Sequence, residues 1–88
     1  MASYSVTLKS SVEKDLRTLP KAVLARVMHR IEELKNNPIP RQSAKLTGAE
    51  RLYRIRVGDY RIIYAVEADA KQVIVYCVRH RRQVYRDL

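Results

Sequence analysis

Leu52-Tyr53-Arg54-Ile55-Arg56-Val57-Gly58-Asp59-Tyr60-Arg61-Ile62-Ile63-Tyr64 is the stretch from which the rest of the fold can be read. Side chains alternate with a period of two on both sides of Gly58–Asp59, a pair that closes tight hairpins. A two-residue turn there sets the register. Val57 faces Tyr60, Ile55 faces Ile62 and Tyr53 faces Tyr64, giving one apolar surface that belongs to the core. The other surface follows without choice. It carries Arg54, Arg56, Arg61 and Ile63, with Leu52 and Ala65 at its far end, and it sets Arg56 directly opposite Arg61. Like charges across a strand pair repel, and a purely structural surface would interleave acids. Here the nearest acid is Asp59, in the turn itself. An arginine row of this kind suits an anionic ligand, because the planar guanidinium fork makes paired hydrogen bonds to phosphate oxygens.

Working outward, residues 60–66 and 72–79 read as two further strands after 51–57, with a polar loop from Glu67 to Lys71. Residues 38–50 hold Pro38, Pro40 and Gly48 and read as an irregular connection. Before them, Val23, Leu24, Val27, Ile31 and Leu34 recur at helical spacing. That helix starts at Pro20, which suits a first turn, and ends by Asn36–Asn37, since Pro38 disfavours helix in the residue before it. A shorter helix precedes it with Val12, Leu16 and Leu19 on its buried side, and Ser10 and Glu13 have the spacing of a capping box. Residues 3–8 alternate, with Tyr4, Val6 and Leu8 on one side, and read as a half-buried strand. The expected fold is α+β in one domain, 1–88: an N-terminal strand, two helices, then a three-stranded antiparallel meander, with the helices packed on one face of the sheet.

Composition narrows the function. The chain has 88 residues, a net charge of +9 and 47% hydrophobic residues, enough apolar content for a packed core. The charge suggests a polyanionic partner: nucleic acid, an acidic membrane surface or an acidic protein. Basic charge is spread over both halves, but the second half favours arginine, with Arg51, Arg54, Arg56, Arg61, Arg79, Arg81, Arg82 and Arg86 against Lys45 and Lys71. All six aromatic residues are tyrosines, which can pack a ring and present a hydroxyl at a wet surface. Cys77 is the single cysteine, so no internal disulfide forms. Its place within a strand suggests small-residue packing. The two glycines, Gly48 and Gly58, exclude a glycine-rich phosphate loop. No segment has the apolar run of a secretory leader or a membrane span, and a cytoplasmic setting is expected. His29 is expected at the surface of its helix and Met28 in helix packing. Glu32 and Glu33 read as a solvated helix face.

Four segments in this order resemble the RelE toxin family: Lys45-Leu46-Thr47-Gly48, Leu52-Tyr53-Arg54-Ile55-Arg56-Val57, Asp59-Tyr60-Arg61-Ile62-Ile63-Tyr64 and His80-Arg81-Arg82-Gln83-Val84-Tyr85-Arg86. The wider superfamily includes ParE-type toxins. The resemblance spans essentially the whole chain. It implies a toxin of a type II toxin–antitoxin module that cleaves mRNA in the ribosomal A site and is neutralised by a cognate, RelB-like antitoxin. It aligns Arg54 and Arg56 with two basic positions before the hairpin turn, Arg61 with the arginine after it, Arg81 with the arginine following the last strand and Tyr85 with the tyrosine near the C-terminus. These five are the implied catalytic residues. Lys45, Arg51, His80 and Arg82 are the expected additional RNA contacts, with ribosomal RNA a further partner.

The implied chemistry uses the substrate's own 2′-OH as nucleophile and yields a 2′,3′-cyclic phosphate and a 5′-OH. It requires a base for the 2′-OH, cations for the phosphorane and an acid for the leaving 5′-oxygen. Arg54, Arg56 and Arg61 suit the charge-stabilising task, and Tyr85 suits base stacking or orientation. This chemistry needs no metal and no small-molecule cofactor. Two of the family's lysines are replaced here by Arg54 and Arg56, and arginine stays protonated. His80 is then the titratable candidate for base, the alternative being proton transfer by water and the ribosome. Two other functions remain open at this point: a ParE-like, non-nuclease inhibitor of DNA gyrase, and a degenerate toxin retaining only antitoxin binding.

Overall fold

The computed structural model describes residues 3–46, 48 and 51–80. Among them run β1 (Ser5–Leu8), α1 (Ser10–Arg17), α2 (Lys21–Glu33), β2 (Ser43–Lys45), β3 (Leu52–Val57), β4 (Tyr60–Glu67) and β5 (Gln72–His80). The strands form one sheet in the order β1-β5-β4-β3-β2. β3, β4 and β5 make the expected antiparallel meander, and β1 returns to pair in parallel with β5 from Ser5–Gln72 to Leu8–Val75.

The hairpin has the register required by its turn. Val57 pairs with Tyr60, Ile55 with Ile62, Tyr53 with Tyr64 and Arg56 with Arg61. Gly58 takes φ +60° while Asp59 does not enter the positive-φ region, so the glycine occupies the one position where a side chain would strain this turn. Both helices lie on the face of Ile55, Val57, Ile62 and Tyr64. Val12, Leu19, Val27, Ile31 and Leu34 from the helical segments close over these residues with Val73, Val75 and Val78, in one buried cluster.

Three local details differ from the sequence reading. Residues 43–45 are not irregular: they form β2, pairing with β3 from Ser43–Ile55 to Lys45–Tyr53. Three residues are too few for a periodic signal. The capping box does not form: Lys9 is the N-cap, no side chain caps the helix, and Ser10 already lies inside it. Ser11 instead donates its hydroxyl to the Tyr76 carbonyl at 3.3 Å. Pro20 is the N-cap of α2 rather than a first-turn residue.

The third strand of the meander carries a β-bulge. Ile63 pairs with Cys77 but Tyr64 pairs with Val75, leaving Tyr76 as the extra residue on β5. Such an insertion shifts the alternation by one. Val75 and Val78, three apart, therefore both enter the core, while Cys77 and Arg79 turn to the opposite face.

β1 ends opposite Val75, so the outer edge of β5 beyond that residue needs other partners. α1 supplies them. Asp15 accepts from the Val78 amide at 3.1 Å and from Arg79 Nε at 3.2 Å. Its side chain is 12% exposed, so this ion pair is partly desolvated. On the helix side, Tyr64 is fully buried, stacks on Tyr53 at 5.9 Å and donates its hydroxyl to the Pro38 carbonyl at 2.9 Å. That bond ties the connection after α2 to the central strand.

Two predictions follow from these contacts. Asp15→Ala strands a strand-edge amide and removes one ion-pair partner of Arg79, and should cost about 1–3 kcal/mol in urea unfolding; an unchanged midpoint would show that the edge of β5 is satisfied without α1. Burial, partly offset by the Ser43 hydroxyl and reinforced by Tyr53, pushes the Tyr64 phenol from 10.0 up to about 12. The unfolded chain therefore ionises first, and the stability Tyr64 contributes is present below pH 10.0 and lost as pH climbs towards about 12. Tyr64→Phe should cost about 1 kcal/mol at neutral pH, and the gap to the parent should shrink in alkaline solution. A gap that does not change with pH would contradict the buried-phenol account.

Candidate functional site

The face of the sheet turned away from the helices has two halves. At the hairpin end, pairing across three strands lines up Arg56, Arg61 and Arg79. One row further from the turn, Ala44, Arg54, Ile63 and Cys77 are in register. Ile63 and Cys77 are buried here, with Leu46 packed against them. The arginines thus stand at the margin of a small apolar floor. A cation beside apolar surface is less screened than one surrounded by water, which favours a strong charge interaction with an arriving anion.

The side chains of the row do not run in parallel. Arg61 is half-buried, and its Nε is shielded from solvent, so this guanidinium is set into the surface. Arg56 bends back over its own turn, with Nε donating to the Gly58 carbonyl at 2.7 Å. β2 stops pairing with β3 at Ile55, so Arg56 has an open strand edge to swing into, and bending relieves the repulsion from Arg61 that direct opposition creates. Arg79 is drawn to Asp15 at 3.2 Å. Arg54 and Arg61 are therefore the two predicted residues that stay together on this face. Three guanidinium groups side by side, as the register alone implied, are not what the side chains adopt.

Arg79 and Asp15 are the features that the sequence reading missed. Regular alternation along 72–79 assigns Arg79 to the core side, and only the bulge at Tyr76 reverses it. Asp15 lies 64 residues from Arg79 in the chain, on a helix whose contact with the β5 edge has no sequence signal. The face expected to lack acids has this one at its border.

The remaining predicted residues are dispersed. The same bulge turns His80 to the helix side, where its ring meets Tyr60 edge-to-face at 5.5 Å, opposite Arg54 and Arg61. Lys45 pairs with Tyr53 and so belongs by register to the helix side as well, at the exposed sheet edge. Arg51 is held by Glu67 at 2.9 Å in an exposed ion pair. Arg81, Arg82 and Tyr85 lie outside the described residues. Cys77 is 8% exposed, and burial pushes its thiol up from the ordinary value, against a lowering by Arg79. A thiol in that state is a packing group rather than a nucleophile. His29 is exposed as expected, and Met28 packs on the core.

Comparison with known proteins fits this geometry. Residues 6–85 match the family described as ParE toxin of type II toxin–antitoxin systems, parDE. A relative named RelE1 from Methanocaldococcus jannaschii is 33% identical over 87 residues, covering 96% of this chain and 97% of its own. The archaeal RelE–RelB complex from Pyrococcus horikoshii OT3 superposes with a TM-score of 0.81 at 36% identity, covering 90% of this chain and 96% of the other. The RelBE2 toxin–antitoxin complex of Mycobacterium tuberculosis gives 0.77 at 27% identity, over 89% and 98%. With a family match along nearly its whole length and the strand order and hairpin register described above, the chain belongs to the RelE/ParE family of toxins from type II toxin–antitoxin systems.

Proposed function

We propose that this toxin is a ribosome-dependent mRNA endonuclease that cleaves by attack of the substrate's 2′-OH on the scissile phosphate. The observation that carries the reading is the position of Arg54 and Arg61 on one sheet face, away from the helices and next to an apolar floor. Fixed cations in such a place stabilise the extra negative charge of a phosphorane more than they stabilise the ground-state diester. Arg61, with its shielded Nε, is the main stabiliser in this scheme. Arg54 grips the same phosphate or its neighbour, and Arg56 reaches it by unbending from the turn. Arg81 and Tyr85 complete the set by resemblance, as a further cation and as a ring for base stacking.

His80 faces Tyr60 rather than Arg61, which favours the scheme in which water and the ribosome handle the 2′-OH proton, while the toxin orients the RNA and stabilises charge. Lys45, Arg51 and Arg82 then act as peripheral RNA contacts, with Arg51 first releasing Glu67. Such exposed ion pairs contribute about 0–1 kcal/mol, so their exchange for a phosphate is easy. Among the described residues no helix is long and apolar enough to cross a membrane; action on ribosomes in the cytoplasm belongs to the same proposal. Relatives have been crystallised with RelB antitoxins, and a RelB-like antitoxin is the partner proposed here. It would cover the basic face, and its association rate should fall with salt.

A second reading, a non-nuclease inhibitor of DNA gyrase, is favoured by the ParE description of the matching family. Primer extension on mRNA after induction separates the two. Cuts in register with codons support the nuclease, and an SOS response without cuts supports the gyrase inhibitor. For the nuclease, Arg61→Ala should lower cleavage about 10²–10³-fold with an unaltered circular dichroism spectrum. Cleavage and growth arrest that persist in Arg61→Ala/Arg81→Ala would remove the catalytic reading.

A further inference from the structure

The row of arginines at the hairpin end has a member that the cleavage scheme does not use. Arg79 on β5 lies directly across from Arg61 on β4, which faces Arg56 on β3. Regular alternation would send Arg79 under the helices, and only the extra residue at Tyr76 brings it to this face. Its side chain remains 31% exposed. Arg56 folds back onto its own turn through the Gly58 carbonyl. Arg79 is held from the side instead, by Asp15 of α1.

Asp15 is anchored at its backbone and at its side chain. Its carbonyl closes the end of α1, accepting from the Thr18 hydroxyl at 2.7 Å and the Thr18 amide at 3.2 Å. Its two carboxylate oxygens have separate tasks. Oδ2 takes the Val78 amide at 3.1 Å and Oδ1 takes Arg79 Nε at 3.2 Å. A carboxylate pinned by a backbone amide does not turn to follow a mobile partner, so the arginine conforms to the aspartate. The strand edge does not call for a charged pair. An asparagine at position 15 would accept the same amide bond, and a neutral residue at position 79 would avoid the opposition to Arg61. A partly desolvated ion pair gives no general gain over a neutral pair of similar shape. What the charged pair adds is a cation of fixed direction beside Arg61.

We propose that Arg79 grips the phosphate next to the scissile one and that Asp15 is its positioning residue. The inference rests on the reading of this toxin as an mRNA endonuclease. Neighbouring strands stand about 4.8 Å apart, so Arg61 and Arg79 are spaced for oxygens of consecutive phosphodiesters. Arg61, set into the surface, serves the bond that breaks. Arg79 carries a charge moderated by Asp15, which matches an ordinary diester better than the extra charge of a phosphorane. Its part is to hold the RNA in place rather than to lower the chemical barrier. Asp15 contributes by ordering a long side chain before the RNA arrives, so that less conformational freedom is lost on binding.

The test uses the full chain and ribosomes carrying a short mRNA in the A site. Cleavage of the unmodified mRNA gives kcat and KM, and the same mRNA with a 2′-O-methyl block at the cut gives Kd. Arg79→Ala should raise Kd and KM about tenfold and leave kcat within about twofold of the parent. Arg79→Gln, which can still donate to Asp15, should show the same loss, and it answers for any instability of the alanine variant. Asp15→Asn keeps an acceptor for the Val78 amide and should raise Kd about threefold. Asp15→Asn/Arg79→Ala should bind no worse than Arg79→Ala alone, because the aspartate acts through the arginine. Losses that add in the double variant overturn the positioning role. An unchanged Kd in both Arg79 variants, or a fall in kcat alone, overturns the phosphate grip. A parent that binds the blocked mRNA but never cuts the unmodified one refutes the nuclease reading, while the Kd ratios still decide the role of Arg79. A parent that does not bind the loaded ribosome overturns both.

Discussion

The turn at Gly58–Asp59 constrains everything around it. A two-residue connection with positive φ at its first position permits one register between β3 and β4. A slip of a single residue would exchange their faces, burying guanidinium groups beneath the helices and exposing Ile55, Ile62 and Tyr64. The cost of unpaired buried charge makes that alternative inaccessible. Core and arginine face are thus two sides of one decision, and any residue that weakens the turn weakens both.

Much of this was legible in the sequence because the hairpin is governed by local rules. Turn length, alternation and residue type together determine which side chains share a face, and the helices follow from apolar spacing and from Pro20 and Pro38. The parts that could not be read depend on one irregularity and one distant contact. The bulge at Tyr76 reverses the alternation late in β5, exchanging the expected sides of Arg79 and His80. No residue type announces a bulge there; it is favoured by the gain of burying Val75 and Val78 together. Asp15 reaches the edge of β5 only after the helix has docked. The bend of Arg56 likewise depends on where a three-residue strand happens to stop. Within the hairpin, face membership was readable, and the side-chain trajectories within a face were not.

Electrostatics divides the basic residues into groups with different roles. Arg51 and Arg79 are held by Glu67 and Asp15, which fixes their direction but moderates their charge. Arg54 and Arg61 stand beside apolar side chains on the face away from the helices. Arg26, His29, Arg30 and Arg56 line a cleft between α2 and the hairpin. Among the described residues, part of the basic charge thus gathers on two surfaces that meet at the hairpin tip, while Lys9, Lys14 and Arg17 belong to α1 and its cap. A polyanion engaging one of them arrives close to the other.

The brevity of β2 has one more consequence. A sheet with a long, flat border offers its unpaired amides and carbonyls as a template on which foreign strands can grow. Here the last strand spans three residues and ends at Lys45, and the neighbouring border is crowded by the bent Arg56. Such a border is a poor seed for fibrils. For a chain with a net charge of +9, such a border helps to keep the free form from condensing on itself.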